Sequence, residues 1–142
     1  MLVVDASVAV KWLWPEPGEA EAAKLLDGGI RLVAPANIRT EVAGAVLRRF
    51  REKMLTENRA RSALSYWDRV LKNEVVRLVP VEDLYDLAVA VSFLSRHALA
   101  DCLYVAAGSD LKIPLITADE LLHRRCKEVY GKIQLLATQM AH

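Results

Sequence analysis

The stretch His97-Ala98-Leu99-Ala100-Asp101-Cys102-Leu103-Tyr104-Val105-Ala106-Ala107-Gly108 decides how this chain folds. From Ala98 to Ala107 it predicts a helix that is apolar on every side, the kind buried inside a domain, with Asp101 as its only charge. An ionised carboxylate left unpaired among apolar neighbours is costly, so a basic side chain or a metal ion must meet it, or it opens into a cleft. A structural ion pair or a helix N-cap is the ordinary explanation of one such Asp. Whether Asp101 is alone depends on the rest of the chain.

Upstream, Met1 to Val4 is a short β-branched run that ends at Asp5, and it predicts a buried strand. Ser7 is placed to cap a short helix through Leu13, and Pro15-Glu16-Pro17-Gly18 separates it from a second helix over Glu19 to Leu26. Ile30 to Ala34 predicts the next strand, closed by Pro35. Asn37 is placed to cap a helix to about Lys53, and Thr56 another, whose Ala60, Ala63, Leu64, Trp67, Val70 and Leu71 share one face. Glu74 to Val81 predicts a third strand. Leu84, Leu87, Ala88, Val91 and Leu94 then repeat at helical spacing up to Ser95. Beyond the Asp101 helix, Lys112 to Thr117 predicts a fourth strand, Ala118 to about Glu128 a helix, and Ile133 to Leu136 a last strand. Helices alternate with strands that are solid apolar runs, the pattern of a parallel sheet covered on both faces.

With 142 residues, 54% hydrophobic and 26% charged, the chain suits a single domain spanning residues 1–142. Its uncharged runs fall well short of the ~20 apolar residues that span a bilayer, and no signal peptide is visible. A soluble, cytoplasmic protein without membrane contact is expected. Cys102 and Cys126 are unclustered, which argues against a zinc site and a disulfide scaffold. The net charge of +1 excludes little, but between Arg48 and Lys72 eight Lys/Arg stand against three acids. Arg124, Arg125, Lys127 and Lys132 make a second basic cluster. Such patches suit a phosphate backbone, although solvated helix faces also look like this.

Ligands of open parallel sheets bind beyond the carboxyl ends of the strands. Asp5 and Asp119 both lie just after a strand, in Val4-Asp5-Ala6-Ser7 and Ile116-Thr117-Ala118-Asp119, while Glu41 and Asp101 lie at or near helix beginnings. Each alone has an ordinary explanation as a turn residue, a first-turn acid or a paired acid. Together, with only Arg39 close to any of them in sequence, they form a set that repels itself unless a hard cation such as Mg²⁺ or Mn²⁺ binds it.

The segments Val3-Val4-Asp5-Ala6-Ser7, Pro35-Ala36-Asn37-Ile38-Arg39-Thr40-Glu41-Val42-Ala43, Leu99-Ala100-Asp101-Cys102-Leu103-Tyr104-Val105-Ala106 and Leu115-Ile116-Thr117-Ala118-Asp119 together resemble the PIN-domain nucleases, above all the VapC-type toxins of toxin–antitoxin pairs. The resemblance covers nearly the whole chain. It implies an α/β fold in three α/β/α layers around a parallel five-stranded sheet, and a metal-dependent ribonuclease, commonly a homodimer, held in check by an antitoxin. It further implies that Asp5, Glu41, Asp101 and Asp119 form the catalytic, metal-binding site, with Ser7 and Thr117 as supporting hydroxyls. Ala100 departs from the family, where many relatives carry an aromatic or polar residue before the third acid.

On that reading Mg²⁺, or Mn²⁺, activates a water against an RNA phosphodiester, with Asp5 and Asp101 as principal ligands. No general-base histidine is required: His97 precedes Asp101 by four residues and is expected to be a structural imidazole, and His123 and His142 carry no signal. Trp67 is expected in the core, and Trp12 and Trp14 at a subunit or partner surface. A phosphoacceptor receiver, an aspartate-nucleophile phosphatase and a nucleotide-binding enzyme each lack a required residue or motif. A catalytically inactive RNA-binding or partner-binding module of the same fold is the alternative.

Overall fold

The computed structural model describes residues 1–136; His142 lies outside them. Five strands, β1 (Leu2–Val4), β2 (Leu32–Pro35), β3 (Val76–Val79), β4 (Leu115–Thr117) and β5 (Ile133–Leu135), form one sheet in the order β3-β2-β1-β4-β5. All neighbours are parallel. The strands Leu2–Val4 and Leu115–Thr117 are buried almost throughout, as solid apolar runs require when helices cover both faces. Strand order reverses between β1 and β4: the chain moves outward through β2 and β3, then returns to the far side of β1. That switch point, at the carboxyl ends of β1 and β4, is where open parallel sheets form their ligand-binding crevice.

Among the described residues seven α-helices cover the sheet: α1 (Ala6–Ala9), α2 (Glu19–Asp27), α3 (Ile38–Arg51), α4 (Glu57–Lys72), α5 (Val81–Ser95), α6 (Leu99–Leu111) and α7 (Glu120–Cys126). Helix α6 packs on β1 and β2 and against α5, α4 packs on α3 and β3, and α7 on β4 and β5. From Cys102 to Gly108 every residue of α6 is buried, and this is the central apolar helix expected. At its far end the Tyr130 hydroxyl donates to the Gly108 and Ile113 carbonyls, and a Cβ on Gly108 would stand 3.1 Å from both the Tyr130 ring and the Ile113 carbonyl.

Several boundaries differ from the sequence expectation, each for a local reason. Asp5, not Ser7, caps α1, accepting from the Val8 N–H, and the helix tightens into a 3₁₀ turn over Val10–Trp12 instead of running to Leu13. Asn37 occupies the N-cap position of α3 but makes no side-chain cap bond, because its amide turns to Glu41. Helix α6 runs to Leu111 and Lys112 closes it in the left-handed conformation, so β4 begins only at Leu115, after Pro114. The third strand is shorter than Glu74 to Val81 because α4 runs to Lys72, Glu74 turns with φ 55° and Pro80 starts α5. The helix expected over Ala118 to Glu128 is likewise trimmed to Glu120–Cys126.

Helix α4 buries Ala60, Trp67, Val70 and Leu71 as its periodicity demands, and Thr56 caps it. In α5, Leu84, Ala88 and Val91 are buried, but Leu94 is 73% exposed and Leu87 faces solvent in part. The apolar face of α5 is therefore wider than the surface α6 offers it. Trp12 and Trp14 are half-buried within the chain: Trp12 Nε1 donates to the Ala22 carbonyl, Trp14 Nε1 to Glu16, and the Arg49 guanidinium lies 4.3 Å from the Trp14 ring. No single helix among the described residues is long and apolar enough to cross a membrane.

Candidate active site

Asp5 leaves the end of β1 and is 4% exposed. The register Val4↔Ile116 sets it beside Thr117, the last residue of β4. Ser7 Oγ donates to Asp5 Oδ1 at 2.6 Å, the Val8 N–H donates to the same oxygen, and the Thr117 hydroxyl donates to Oδ2. Each hydroxyl also accepts: Ser7 Oγ from the Ala118 N–H at 2.9 Å, and Thr117 Oγ1 from the Asp119 N–H at 3.0 Å. Two side chains thus tie the end of β1 to the turn after β4. Burial pushes the Asp5 carboxyl up to about 6, against the pull of its hydroxyl and N–H donors, and the charge on Asp101 adds to the rise.

Glu41 projects from the first turn of α3. Its Oε1 accepts from the Tyr104 hydroxyl on α6 and from Asn37 Nδ2 at 3.1 Å. Burial raises its pKa, the Tyr104 bond opposes the rise, and the Asp101 charge reinforces it. Burial and the negative charge of Glu41 also push Tyr104 far above the ordinary phenol range, so its hydroxyl is a donor at every working pH. Asp119 caps α7 through Oδ1, which accepts from the Leu121 and Leu122 N–H groups at 2.9 and 3.1 Å.

Asp101 lies near a helix beginning, as expected, although the apolar run Ala98 to Ala107 surrounds it in sequence. Helix α6 starts at Leu99, so Asp101 sits in its first turn with 32% of its side-chain surface exposed, and it is not sealed in the core. The His97 ring meets it, Nε2 lying 2.7 Å from Asp101 Oδ2.

Each acid is therefore held by the chain's own donors at one or both oxygens, while Glu41 Oε2, Asp101 Oδ1 and Asp119 Oδ2 take no hydrogen bond from the described residues. Among those residues no Lys or Arg pairs with any of the four. Arg39, the basic residue nearest in sequence, turns instead toward Asp68 at 3.8 Å. Ligand atoms of Asp101, Asp119 and His97 lie within 4.8 Å of one another, and Asn37 Oδ1, beside Glu41, is a buried acceptor with no partner among the described residues. Carboxylate oxygens without protein cations, and an orphaned amide oxygen, form a donor set that fits a hard divalent cation.

The sequence named all four acids and, through the resemblance, both hydroxyls; the structure bonds Ser7 and Thr117 to Asp5 and sets Asp101 beside Asp119 and His97. Tyr104 and Asn37, which fix Glu41, were missed. Tyr104 was legible only as one more apolar helix residue, and the signal that a buried phenol needs a partner for its hydroxyl does not say which partner.

A parallel sheet between helical layers, with carboxylates near its switch point, defines the class: an open, parallel α/β domain. Residues 2–128 match the PIN domain family, and the chain belongs to it. It is 30% identical over 119 residues to ribonuclease VapC12 of Mycobacterium tuberculosis, covering 84% of this chain and 87% of that one. Its fold is similar to that of a toxin–antitoxin complex from Klebsiella pneumoniae, with a TM-score of 0.65 and 16% identity over 97% of this chain and 99% of that one. It is similar too to PAE2754 from Pyrobaculum aerophilum, with a TM-score of 0.69 and 17% identity over 93% and 81% of the two chains.

Proposed function

We propose that this protein is a Mg²⁺-dependent endoribonuclease that hydrolyses RNA phosphodiester bonds and acts as the toxin of a toxin–antitoxin pair. The observation that carries the reading is that Asp101 lies beside Asp119, and its charge acts on both Asp5 and Glu41, with no Lys or Arg pairing any of the four among the described residues. Membership of the PIN domain family and the likeness to ribonuclease VapC12 support the substrate class.

Asp5, Glu41, Asp101 and Asp119 would hold the cation, Mg²⁺ or Mn²⁺. When bound it supplies an activated water and stabilises charge at the phosphate. The chain's own contribution is placement. Ser7 and Thr117 fix both oxygens of Asp5, Tyr104 and Asn37 orient Glu41, and the start of α7 fixes Asp119, so little reorganisation is left for the reaction. The basic face of α3 and α4 receives the substrate: Arg48 lies seven residues beyond Glu41, ~10 Å further along the helix at ~1.5 Å per residue.

For the antitoxin, a groove of about 520 Å³ lined by Trp12, Trp14, Arg49, Leu55 and Tyr66 suits the apolar side chains of a partner segment. A Lys or Arg from the same segment would take the cation's place among the acids. We take the protein to be a single cytoplasmic domain acting as a homodimer, and the exposed apolar residues of α5, Phe93 and Leu94, support the dimer.

The test is to map cleavage in total cellular RNA with the wild type and Asp5→Asn side by side, in Mg²⁺ and in excess EDTA. Defined cuts only with the wild type in Mg²⁺ are expected. Undiminished cutting in EDTA overturns the metal mechanism. RNA binding without cutting favours the inactive-module alternative.

A further inference from the structure

The loop between α5 and α6 is built around His97 to a degree that a simple connection does not need. Its backbone N–H donates to Ser95 Oγ at 3.2 Å. Its carbonyl accepts from Ser92 Oγ at 2.7 Å and from Cys102 Sγ at 3.5 Å. Arg96, just before it, turns the chain with φ 58°. The ring itself is buried, with 5% of its side-chain surface exposed. Three bonds from both flanking helices therefore fix where the imidazole points, and it points at Asp101, with Nε2 2.7 Å from Oδ2.

The other ring nitrogen identifies the tautomer. Nδ1 is buried and has no hydrogen-bond partner among the described residues. A proton on Nδ1 would be a buried donor with no acceptor, and it would leave the Nε2 lone pair facing a carboxylate oxygen. A proton on Nε2 makes the bond to Asp101 and leaves only a weak acceptor unsatisfied.

We infer that His97 is a positioning residue: its Nε2–H holds Asp101 Oδ2, turning Oδ1 toward the crevice as a cation ligand, and the ring does not itself bind the cation. The inference rests on the metal-site reading of the acids. A lysine or arginine in this place would fix Asp101 equally well but would cancel the charge that draws the cation; an imidazole donating from one nitrogen orients the carboxylate and leaves that charge in place.

The experiment measures Mn²⁺ binding, read from the electron paramagnetic resonance of the free ion, for the wild type, His97→Gln and His97→Leu. The amide nitrogen of Gln reproduces the Nε2–H donor and Leu does not. The expected Kd for Mn²⁺ rises about 10- to 100-fold in His97→Leu, the usual cost of losing an outer-shell partner, and less than ~3-fold in His97→Gln. A long-range ¹⁵N–¹H spectrum of the wild type should show the His97 proton on Nε2. Equal affinity in wild type and His97→Leu, equal weakening in both variants, a proton on Nδ1, or a ¹⁵N-histidine hyperfine coupling to the bound Mn²⁺ each overturns the inference. If the wild type binds no Mn²⁺ at millimolar concentration, the metal-site reading itself falls, and that result is distinct from the other four. Should His97→Leu not fold, the wild-type spectrum and His97→Gln still decide.

Discussion

Replacing Asp5 by Asn should stabilise the protein in the absence of metal, by an amount that follows from its surroundings. Burial lifts the Asp5 carboxyl from 3.8 to about 6. The folded state therefore keeps a proton that the unfolded chain has already released, and stability falls as pH rises from about 4 to about 6. A shift of about 2 units at about 1.4 kcal/mol each sets an upper limit of about 3 kcal/mol on this penalty, which is absent below the unfolded value and complete by pH 7. The Asp5→Asn substitution removes the penalty without emptying the site. The carbonyl of the new amide accepts from Ser7 and the Val8 N–H as Oδ1 does, and its nitrogen donates to Thr117, whose hydroxyl proton turns away. For a chain of this length ~3 kcal/mol corresponds to about 6–12 °C in Tm. The assay is thermal unfolding of both proteins in EDTA from pH 3.5 to 8, taking their difference so that other groups cancel. The variant should gain on the wild type between pH 4 and 6 and stay ahead above that. A flat difference, or a less stable variant at pH 7, would refute the claim that Asp5 is an uncompensated buried charge. Saturating Mg²⁺ should then favour the wild type, which has the ligand charge the variant lacks.

Asp101→Asn and Asp119→Asn should each lower RNA cleavage at least ~100-fold with an unchanged circular dichroism spectrum, as expected for lost ligand charge; cutting near the wild-type rate removes that residue from the site. Tyr104→Phe keeps the buried ring but frees Glu41 from one of its two donors, and Mg²⁺ affinity by calorimetry should fall ~10-fold with little change in Tm. Trp67→Ala, at a side chain 1% exposed, should cost ~3–5 kcal/mol in urea unfolding, and a loss under 1 kcal/mol would contradict its place in the core. Ala63→Arg, in the groove beside Trp14, should weaken antitoxin binding in a pull-down while leaving cleavage by the free protein unchanged, and inhibition by the antitoxin should lessen as Mg²⁺ is raised.

The order of elements was legible in the residues because its signals are local. Solid apolar runs such as Leu2–Val4 read as covered strands, the spacing of Ala60, Trp67, Val70 and Leu71 reads as one buried helix face, and Thr56 reads as a cap. The four acids drew attention as residues because a carboxylate after an apolar strand or in the first turn of an apolar helix carries a cost that calls for an explanation, whereas Ser7 and Thr117 came into the site only through the family resemblance. Which surface each element faces was not legible. Leu87 and Leu94 keep the helical period of α5, but only the extent of α6 decides how much of that face is covered. What Asp5 and Glu41 touch depends on groups 112 and 63 residues away, Thr117 through the β1–β4 register and Tyr104 through the seating of α6 on the sheet. The turn at Arg96 and the start of α6 at Leu99 brought His97 onto Asp101 and left that carboxylate partly exposed, which chose among the pairing, metal and cleft readings that the sequence left open. Periodicity and capping fix what a segment is, because they act within one turn or one strand. Which donor reaches which oxygen is settled only when separate segments pack, because hydrogen bonding has a reach of about 3 Å and no counterpart in sequence distance.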